Sequence, residues 1–557
     1  MKLRTEGRKI IITDTAYEQR GLYAEIPGCR YSKYTPGWEA PASPITAMRI
    51  RHMARVNGIK ITQCDEGFND LLQAMREIVA KERFKDPSVN LNARHISDDN
   101  WLTSTVPWAH QRTAALFCEG LDAAYLAMEM GTGKTLVIIN EILQEIGNGH
   151  HKFLIVCPKS VLDVWAAEFA CHASGYKVPV VILKKGTNKQ KAHQIHDANF
   201  QYWQRGKAAV IVVNYESLWR DKIGDIVLSN RWRMVVCDES HKIKSASGKA
   251  SRFCARLRRQ ADIRRCLSGT PLPNNQLDAY GQWRFLDIGY FGTNFAQFRA
   301  RYCQMGGYEN HEIVGWRHQG EFRRLLDFLT FRVDKSVLDL PPETHVVRRC
   351  NLSRNAAKIY RQVEKDLVTL VEDSEIKITN VLKKIMKLQQ VACGFIINDD
   401  KEIINLHYEK SKLLTEFLEG VEADEKVVVF CRFRRDLEEV KRVSEILGRR
   451  YGELSGEAND LAGGRLPDHV NVLGAQLQAG GIGVNLTAAR YCVLYSVGYS
   501  LADYQQALAR VHRGGQERPV TYVHLITEGT IDEQVQQALA AKKEVVDEIL
   551  AYIKRER

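Results

Sequence analysis

The sequence predicts an α/β protein: two domains built on parallel sheets flanked by helices, preceded by a small α+β unit. Three observations carry this. From about residue 100 onward, short apolar runs alternate with longer helical patterns, the signature of βαβ units. The runs fall into two groups, separated by a charged, helix-rich stretch from about 340 to 425, and 557 residues exceed what one hydrophobic core organises. Residues 1 to 95 follow neither pattern.

That first segment, 1–95, is expected to be an accessory domain. "RKIIITD" and "GLYAEIPGCRYSKYTPGWEAP" suggest short strands, and "ITAMRIRHMARVNG" an amphipathic helix. The second domain is placed at 96–340. Its runs "LDAAYLA", "KFLIVCP", "AAVIVVNY" and "WRMVVCDES" suit strands covered on both faces. Between the first two lies "TLVIINEILQEIG", where Leu136, Ile139, Leu143 and Ile146 recur at helical spacing. "RFCARLRRQADIRR", residues 252 to 265, reads as a dense basic helix with a solvated face. "LDLPPETH", residues 338 to 345, is the linker candidate because of its Pro-Pro. The third domain, 341–557, carries "KVVVFCRF", "VNVLGAQ", "RYCVLYSV" and "TYVHLI".

A net charge of +12 permits nucleic acid as a partner without requiring it. The 13 cysteines are odd in number, scattered and without a C-x-x-C pair, which excludes a disulfide framework or zinc ribbon and implies a reduced compartment. Cys157, Cys237, Cys431 and Cys492 lie inside apolar runs as small hydrophobes. The set Cys171, His172, His193 and His196 matches no zinc module, so no structural zinc is expected. "MKLRTEGRK" has no apolar segment behind it, and no apolar run approaches the roughly 20 residues of a membrane span. A soluble, cytoplasmic protein without a membrane partner is expected. The chain ends soon after "TIDEQ", which predicts no C-terminal reader module.

The chemistry begins at "AMEMGTGKT", residues 127 to 135, where an apolar run meets a helix start. A glycine-containing turn there presents backbone N–H groups and the helix dipole to phosphate. Lys134 would reach the β- and γ-phosphates of ATP, and Thr135 would offer its hydroxyl to Mg²⁺. The strict P-loop pattern has glycine where this chain has Met128. "VVCDESH" then delivers Asp238 and Glu239 to a strand end. Asp238 would hold Mg²⁺ through water and Glu239 would act as general base on the attacking water. In "CLSGTPLPNN", Ser268 and Thr270 are placed to link the nucleotide pocket to a second ligand site. "QALARVHRGGQ" puts Arg510 and Arg513 three apart, on one face if the segment is helical. They are either a solvated pair or arginine fingers for a γ-phosphate.

Taken in order, Gln111 in "PWAHQRTAALF", the P-loop, "LIVCPKSVLDVWAAEF", "VVNYESL", "DESH", "LSGTPLPNN", "VVVFCRF", "AGGIGVNL" and "QALARVHRGGQ" resemble the motifs of the SWI/SNF-like ATPases of helicase superfamily two, over roughly residues 100 to 540. The resemblance implies two RecA-like lobes with ATP and Mg²⁺ in the cleft between them. It implies a DNA-stimulated ATPase, a monomeric motor that moves along duplex DNA. Nucleotide contacts would come from Gln111, Glu129, Met130, Gly131, Thr132, Gly133, Lys134 and Thr135. Catalytic groups would be Lys134, Asp238, Glu239, Gln506, Arg510 and Arg513, with His241, Ser268 and Thr270 coupling the two sites. Pro158, Lys159, Ser160, Asn214, Tyr215, Arg432, Arg434, Gly480 and Gly481 stand where family motifs face DNA. Met128 and Ala509 depart from the usual acidic residue and glycine, and neither departure removes a catalytic group.

The N-terminal stretch "AEIPGCRYSKYTPGWEAP" resembles the HARP-type module that precedes the motor in annealing helicases, which would grip forks or junctions; an accessory domain of unrelated origin fits the residues as well. A compact bacterial or bacteriophage translocase is expected. A strand-separating helicase, the motor of a restriction-type system, and a clamp that binds ATP without hydrolysis are the alternatives. The intact set Lys134, Asp238, Glu239, Arg510 and Arg513 argues against the clamp.

Overall fold

The computed structural model describes residues 1–34, 37–85, 101–273, 275–306, 312–372, 378–398, 402–461, 464–477 and 484–540. By packing, the chain divides after Val337 into two units, 1–337 and 338–557.

The first unit opens with strands β1 (Lys2–Glu6), β2 (Lys9–Thr13), β3 (Arg30–Ser32), β4 (Gly37–Pro41) and β5 (Gln63–Cys64), in the order β3-β4-β2-β1-β5. Ile10 and Ile12 face the helix Pro44–Val56, whose Ile50 and Ala54 close a small core with Tyr23 and Phe68. Helix starts here depend on side-chain caps. Ser43 Oγ accepts from Thr46 N at 3.4 Å ahead of Pro44, and Asp65 accepts from Phe68 N at 2.9 Å and Thr5 N at 2.6 Å. Buried contacts join this small sheet and its helices to the first large sheet. Ile45, Met75, Ile78 and Phe84 belong to the core of that larger sheet, and Arg49 Nη1 donates to Gly289 O at 2.7 Å.

The large sheet is built from β6 (Ala123–Met128), β7 (Lys152–Cys157), β8 (Val180–Ile182), β9 (Ala209–Asn214), β10 (Trp232–Asp238) and β11 (Ala261–Leu267). After a hairpin of β12 (Cys303–Gly306) and β13 (Glu312–Trp316), β14 (Thr330–Val333) completes it. The parallel sheet has the order β14-β6-β11-β10-β7-β9-β8. β6 and β9 are buried at every residue, as strands covered on both faces must be.

The basic segment 252 to 265 is not one helix. The helix Lys249–Leu257 ends, a short turn intervenes, and the remainder is β11, a central strand. It tolerates Arg265 because that side chain is fully buried on Glu141, with Nε to Oε2 at 3.0 Å, and donates to Leu121 O at 2.8 Å. A guanidinium with all its faces bonded can occupy a core position.

The second unit holds β15 (Glu343–Cys350), β16 (Phe395–Ile397), β17 (Ile403–Asn405), β18 (Val427–Cys431), β19 (Tyr451–Leu454), β20 (Val472–Gln476), β21 (Tyr491–Leu494) and β22 (Val520–Thr527). Its parallel sheet runs β15-β22-β21-β18-β20-β19, with β16 and β17 as a separate hairpin. Apolar clusters cover both faces, one around Val428, Phe430 and Leu473, the other around Val427, Val429 and Leu437. The edge strand β15 is largely exposed. Both units are thus RecA-like α/β lobes, the first carrying the small N-terminal α+β unit. No described helix is long and apolar enough to cross a membrane.

Candidate nucleotide site and arginine loop

Strand β6 delivers the chain to its carboxyl end, and the helix Lys134–Gly147 begins six residues later. Between them Gly131 and Gly133 have φ of 85° and 81°, a backbone that a side chain would strain. A Cβ on Gly133 would also overlap the carboxamide nitrogen of Gln111. The loop therefore needs glycine, and it presents N–H groups at a helix start. Lys134 lies folded onto the loop, Nζ donating to Met128 O at 2.7 Å and Glu129 O at 3.2 Å. Thr132 is buried, and its Oγ1 donates to Glu129 O at 2.6 Å. Its carbonyl accepts from Gln111 Nε2 at 3.2 Å and lies 2.8 Å from His110 Nε2. Burial pushes the His110 imidazole below its ordinary pKa, so the ring is neutral and its Nε2–H donates to that carbonyl. His110 is a loop support that the sequence reading did not single out. Glu129 anchors the loop sideways: its N–H donates to Val333 O at 2.8 Å and its carboxylate accepts from Lys335 N at 3.0 Å.

Asp238 ends β10. Its Oδ2 accepts from Trp165 Nε1 at 3.0 Å, its Oδ1 from Glu239 N at 2.9 Å, and its carbonyl from Tyr215 Oη at 2.7 Å. Burial, with Glu239 beside it, pushes the Asp238 carboxyl up to about 6 despite the pull of Lys134. Glu239 is left-handed, with φ of 49°, a conformation rare outside glycine and frequent at working sites. Its Oε2 lies 3.4 Å from His241 Nδ1, which is 3.3 Å from Ser268 Oγ; that oxygen accepts from Thr270 N at 3.1 Å. His241, Ser268 and Thr270 are one connected group. For Mg²⁺, the Thr135 hydroxyl and Asp238 carboxylate supply oxygen donors of the hard type it selects, next to Lys134. The donor set fits Mg²⁺-ATP.

Of the residues expected to face DNA, Pro158, Lys159 and Ser160 lie after β7 on a short turn, with Lys159 exposed. Asn214 and Tyr215 do not present their side chains outward. Both are buried: Asn214 Nδ2 donates to Glu216 at 2.7 Å, and the Tyr215 hydroxyl holds the Asp238 carbonyl. Tyr215 supports the acidic strand end from inside.

In the second lobe Arg432 comes directly after β18. Its N–H donates to Ser496 Oγ at 2.7 Å, and its guanidinium lies 4.0 Å over the Tyr499 ring and bonds Gln389. Arg434 is exposed and paired with Glu457. Gly480 and Gly481 lie outside the described residues. Gln506 and Arg510 sit on the helix Leu501–Val511, capped by Ser500 Oγ accepting from Asp503 N at 3.1 Å. Arg513 is not on that helix. The helix stops at Val511, because His512 turns inward, 2.7 Å from Pro341 O and 2.9 Å from Glu343 Oε2. Gln516 is buried, and its Nε2 donates to Thr487 O, Ala489 O and Val511 O at 3.0, 3.0 and 3.2 Å. His512 and Gln516 fasten the loop that carries Arg513; the sequence reading named the arginines and passed over both fasteners.

A model of the SNF2-related domain matches residues 104–395, and one of the helicase conserved C-terminal domain matches 409–515. The putative ATP-dependent helicase/translocase YwqA of Bacillus subtilis is 28% identical over 444 residues, covering 77% of this chain and 46% of the relative. An uncharacterized ATP-dependent helicase of Mycoplasma pneumoniae is 25% identical over 455 residues, covering 79% and 42%. The chain thus spans less than half the length of these two relatives. The SWI2/SNF2 ATPase core of Sulfolobus solfataricus in complex with dsDNA is 21% identical, with a TM-score of 0.39, over 80% of this chain and 92% of that one. With the first match alone covering more than half of the 557 residues, the chain belongs to the SNF2-related domain family, the SWI/SNF-like ATPase family of helicase superfamily two.

Proposed function

We propose that the protein is an ATP- and Mg²⁺-dependent translocase on duplex DNA that works inside a bacterial or phage-infected cell, remodelling DNA or DNA–protein complexes, with rewinding of forks or junctions as one such task. The observation that carries the reading is the joined set at the strand ends of the first lobe. There Lys134 lies on the phosphate loop within electrostatic reach of the buried Asp238, and the adjacent Glu239 continues to the His241–Ser268 pair. Lys134 exchanges its two loop carbonyls for the β- and γ-phosphates. Gln111, already against the loop, contacts the adenine. Glu239 accepts a proton from the attacking water as general base. Thr135 and Asp238 would hold Mg²⁺, which would supply positive charge against the phosphates. Gln506, Arg510 and Arg513 are the catalytic groups of the second lobe, the two arginines acting as fingers that stabilise the charge of the transferring phosphoryl group. Pro158, Lys159, Ser160, Arg432, Arg434, Gly480 and Gly481 contact the DNA backbone, and His241, Ser268 and Thr270 relay between DNA and nucleotide. Residues 1–95 serve as a HARP-like grip on DNA, and 96–340 and 341–557 as the two motor lobes.

The test is steady-state ATP hydrolysis with no nucleic acid, single-stranded DNA, duplex, forked DNA and RNA, with Lys134→Ala as control. Stimulation by duplex or fork, absent in the control, supports the translocase. Stimulation by single strands or RNA alone replaces it with a conventional helicase, and no turnover under any condition replaces it with a clamp.

A further inference from the structure

Among the described residues, His193, His196 and Asp197 are the one group of three metal-donor side chains whose ligand atoms all lie within 4.8 Å of one another. They sit on the helix Asn188–Gln201, started by the Thr187–Gln190 capping box. Spacing of three and four residues stacks them on one helix face. The two imidazole rings are parallel within 4°, centroids 6.0 Å apart. His193 Nε2 is 3.5 Å from Asp197 Oδ1. Ligands at about 2.0–2.1 Å from a tetrahedral zinc lie roughly 3.4 Å apart, so this pair already has the required separation. The His196 imidazole, with its ligand atom within 4.8 Å of the other two, closes the set by rotation about its side-chain torsions, open to side chains standing in solvent. Of the two lysines on this helix, Lys191 is turned inward onto Ser217 Oγ at 3.2 Å, while Lys189, one turn before His193, is exposed to solvent.

From this juxtaposition we propose that His193, His196 and Asp197 bind a divalent transition metal of the zinc or nickel class on the outer face of this helix. Two nitrogen donors and one carboxylate select such ions and reject Mg²⁺ and Ca²⁺, which take oxygen. The site is therefore chemically independent of the Mg²⁺-ATP reading. Three protein donors leave at least one coordination position to water, the pattern of an open site. The ion cross-links successive turns of the helix. The residues differ from the Cys171–His172–His193–His196 set considered in the sequence: His172 is committed elsewhere, its Nδ1 2.6 Å from Thr105 Oγ1 and its Nε2 3.2 Å from Glu168.

The experiment is calorimetric titration of the full chain with Ni²⁺ in Mg²⁺-containing buffer, with exposed thiols blocked, repeated for His193→Gln, His196→Gln and Asp197→Asn. One Ni²⁺ equivalent is expected in the wild type. It should weaken at least about tenfold when either imidazole is removed. ATP turnover should be unchanged in all three variants. Identical Ni²⁺ stoichiometry and affinity in the wild type and a His193→Gln/His196→Gln double variant would overturn the assignment, as would complete absence of that equivalent from the wild type.

Discussion

Gln516→Ala isolates the fastening of the arginine loop from the arginines themselves. The carboxamide donates to three carbonyls, and its Oε1 accepts from Arg518 N at 3.1 Å. The two N–H groups, shared among these carbonyls, and one acceptor are therefore lost, at about 0.5–1.5 kcal/mol each, roughly 2–4 kcal/mol in total. The functional effect is larger than this local loss suggests. Arg513 lies between two of the anchored points, Val511 O and the Gln516 N–H that donates to Arg513 O at 3.0 Å. A displacement of about 1 Å in a catalytic group costs on the order of 10²-fold in rate, whereas an arginine finger as a whole contributes about 10³–10⁵. Gln516→Ala should then lower the turnover number about 10²-fold, less than Arg513→Ala, with ATP affinity preserved because the P-loop belongs to the other lobe. The assay pairs turnover at saturating duplex DNA with equilibrium titration of a fluorescent ATP analogue and a thermal melt. Turnover within about threefold of wild type in a variant destabilised as calculated would refute the argument, for it would mean that Arg513 needs no fixed loop.

Three further outcomes are expected. Glu141→Gln leaves Arg265 as an uncompensated buried charge and should destabilise the first lobe by about 3–5 kcal/mol in urea unfolding; a loss under about 1 kcal/mol would show that Arg265 is satisfied by its carbonyls alone. Gly133→Ala puts a side chain at φ of 81° against Gln111, so binding of the ATP analogue should weaken at least about tenfold with little change in melting temperature; unchanged affinity would refute the close approach. Asp436 is buried, bonded to Ser496, and burial raises its pKa from 3.8 to about 7. The folded chain thus holds a proton that the unfolded chain releases. Stability should fall as pH rises from about 4 to 7, by up to roughly 4 kcal/mol, and Asp436→Asn should remove this slope. A wild-type-minus-variant difference in unfolding free energy that does not move with pH would contradict it.

The strands most easily found in the sequence are those covered on both faces. β7, β9, β10, β18 and β21 announce themselves by runs of four or more apolar residues for that reason. β11 hides because its middle is Ile-Arg-Arg, and the partner that makes Arg265 acceptable, Glu141, lies 124 residues earlier. β15 hides for the opposite reason: as an exposed edge strand, "ETHVVRRC" has no need of an apolar signature. The phosphate loop and the acidic strand end were legible because their chemistry is local, a glycine turn at a helix start and two acids after an apolar run. Supports such as His110, Trp165 and Gln516 were not, since each acts on a carbonyl or carboxylate from another segment. The end of the arginine helix had a readable signal, Gly514-Gly515 after Arg513, of the kind that stops helices.

These supports explain why the short motifs come as a set. The phosphate loop, the Asp238–Glu239 turn, the Ser268–Thr270 turn and Arg432 each leave the carboxyl end of a parallel strand, where loops carry function while the sheet stays rigid; the arginine loop instead follows a helix and leads into β22. A loop in that position has polar backbone that must be satisfied, and in both lobes the donors come from other motifs. Gln111 and His110 hold the phosphate loop; Tyr215 and Trp165 hold Asp238; Ser268 meets His241. In the second lobe Gln516 holds the segment at Thr487 and Ala489, and Ser496 receives the N–H of Arg432 while donating to Asp436. A motif residue here is therefore doubly employed, by its own chemistry and by the geometry of its neighbour's. Removing one changes the position of another, so single substitutions across these motifs are expected to be non-additive wherever a hydrogen bond joins them. The two arginines that stand out in "ARVHRGGQ" are informative about chemistry, and the histidine and glutamine around them about how that chemistry is held in place.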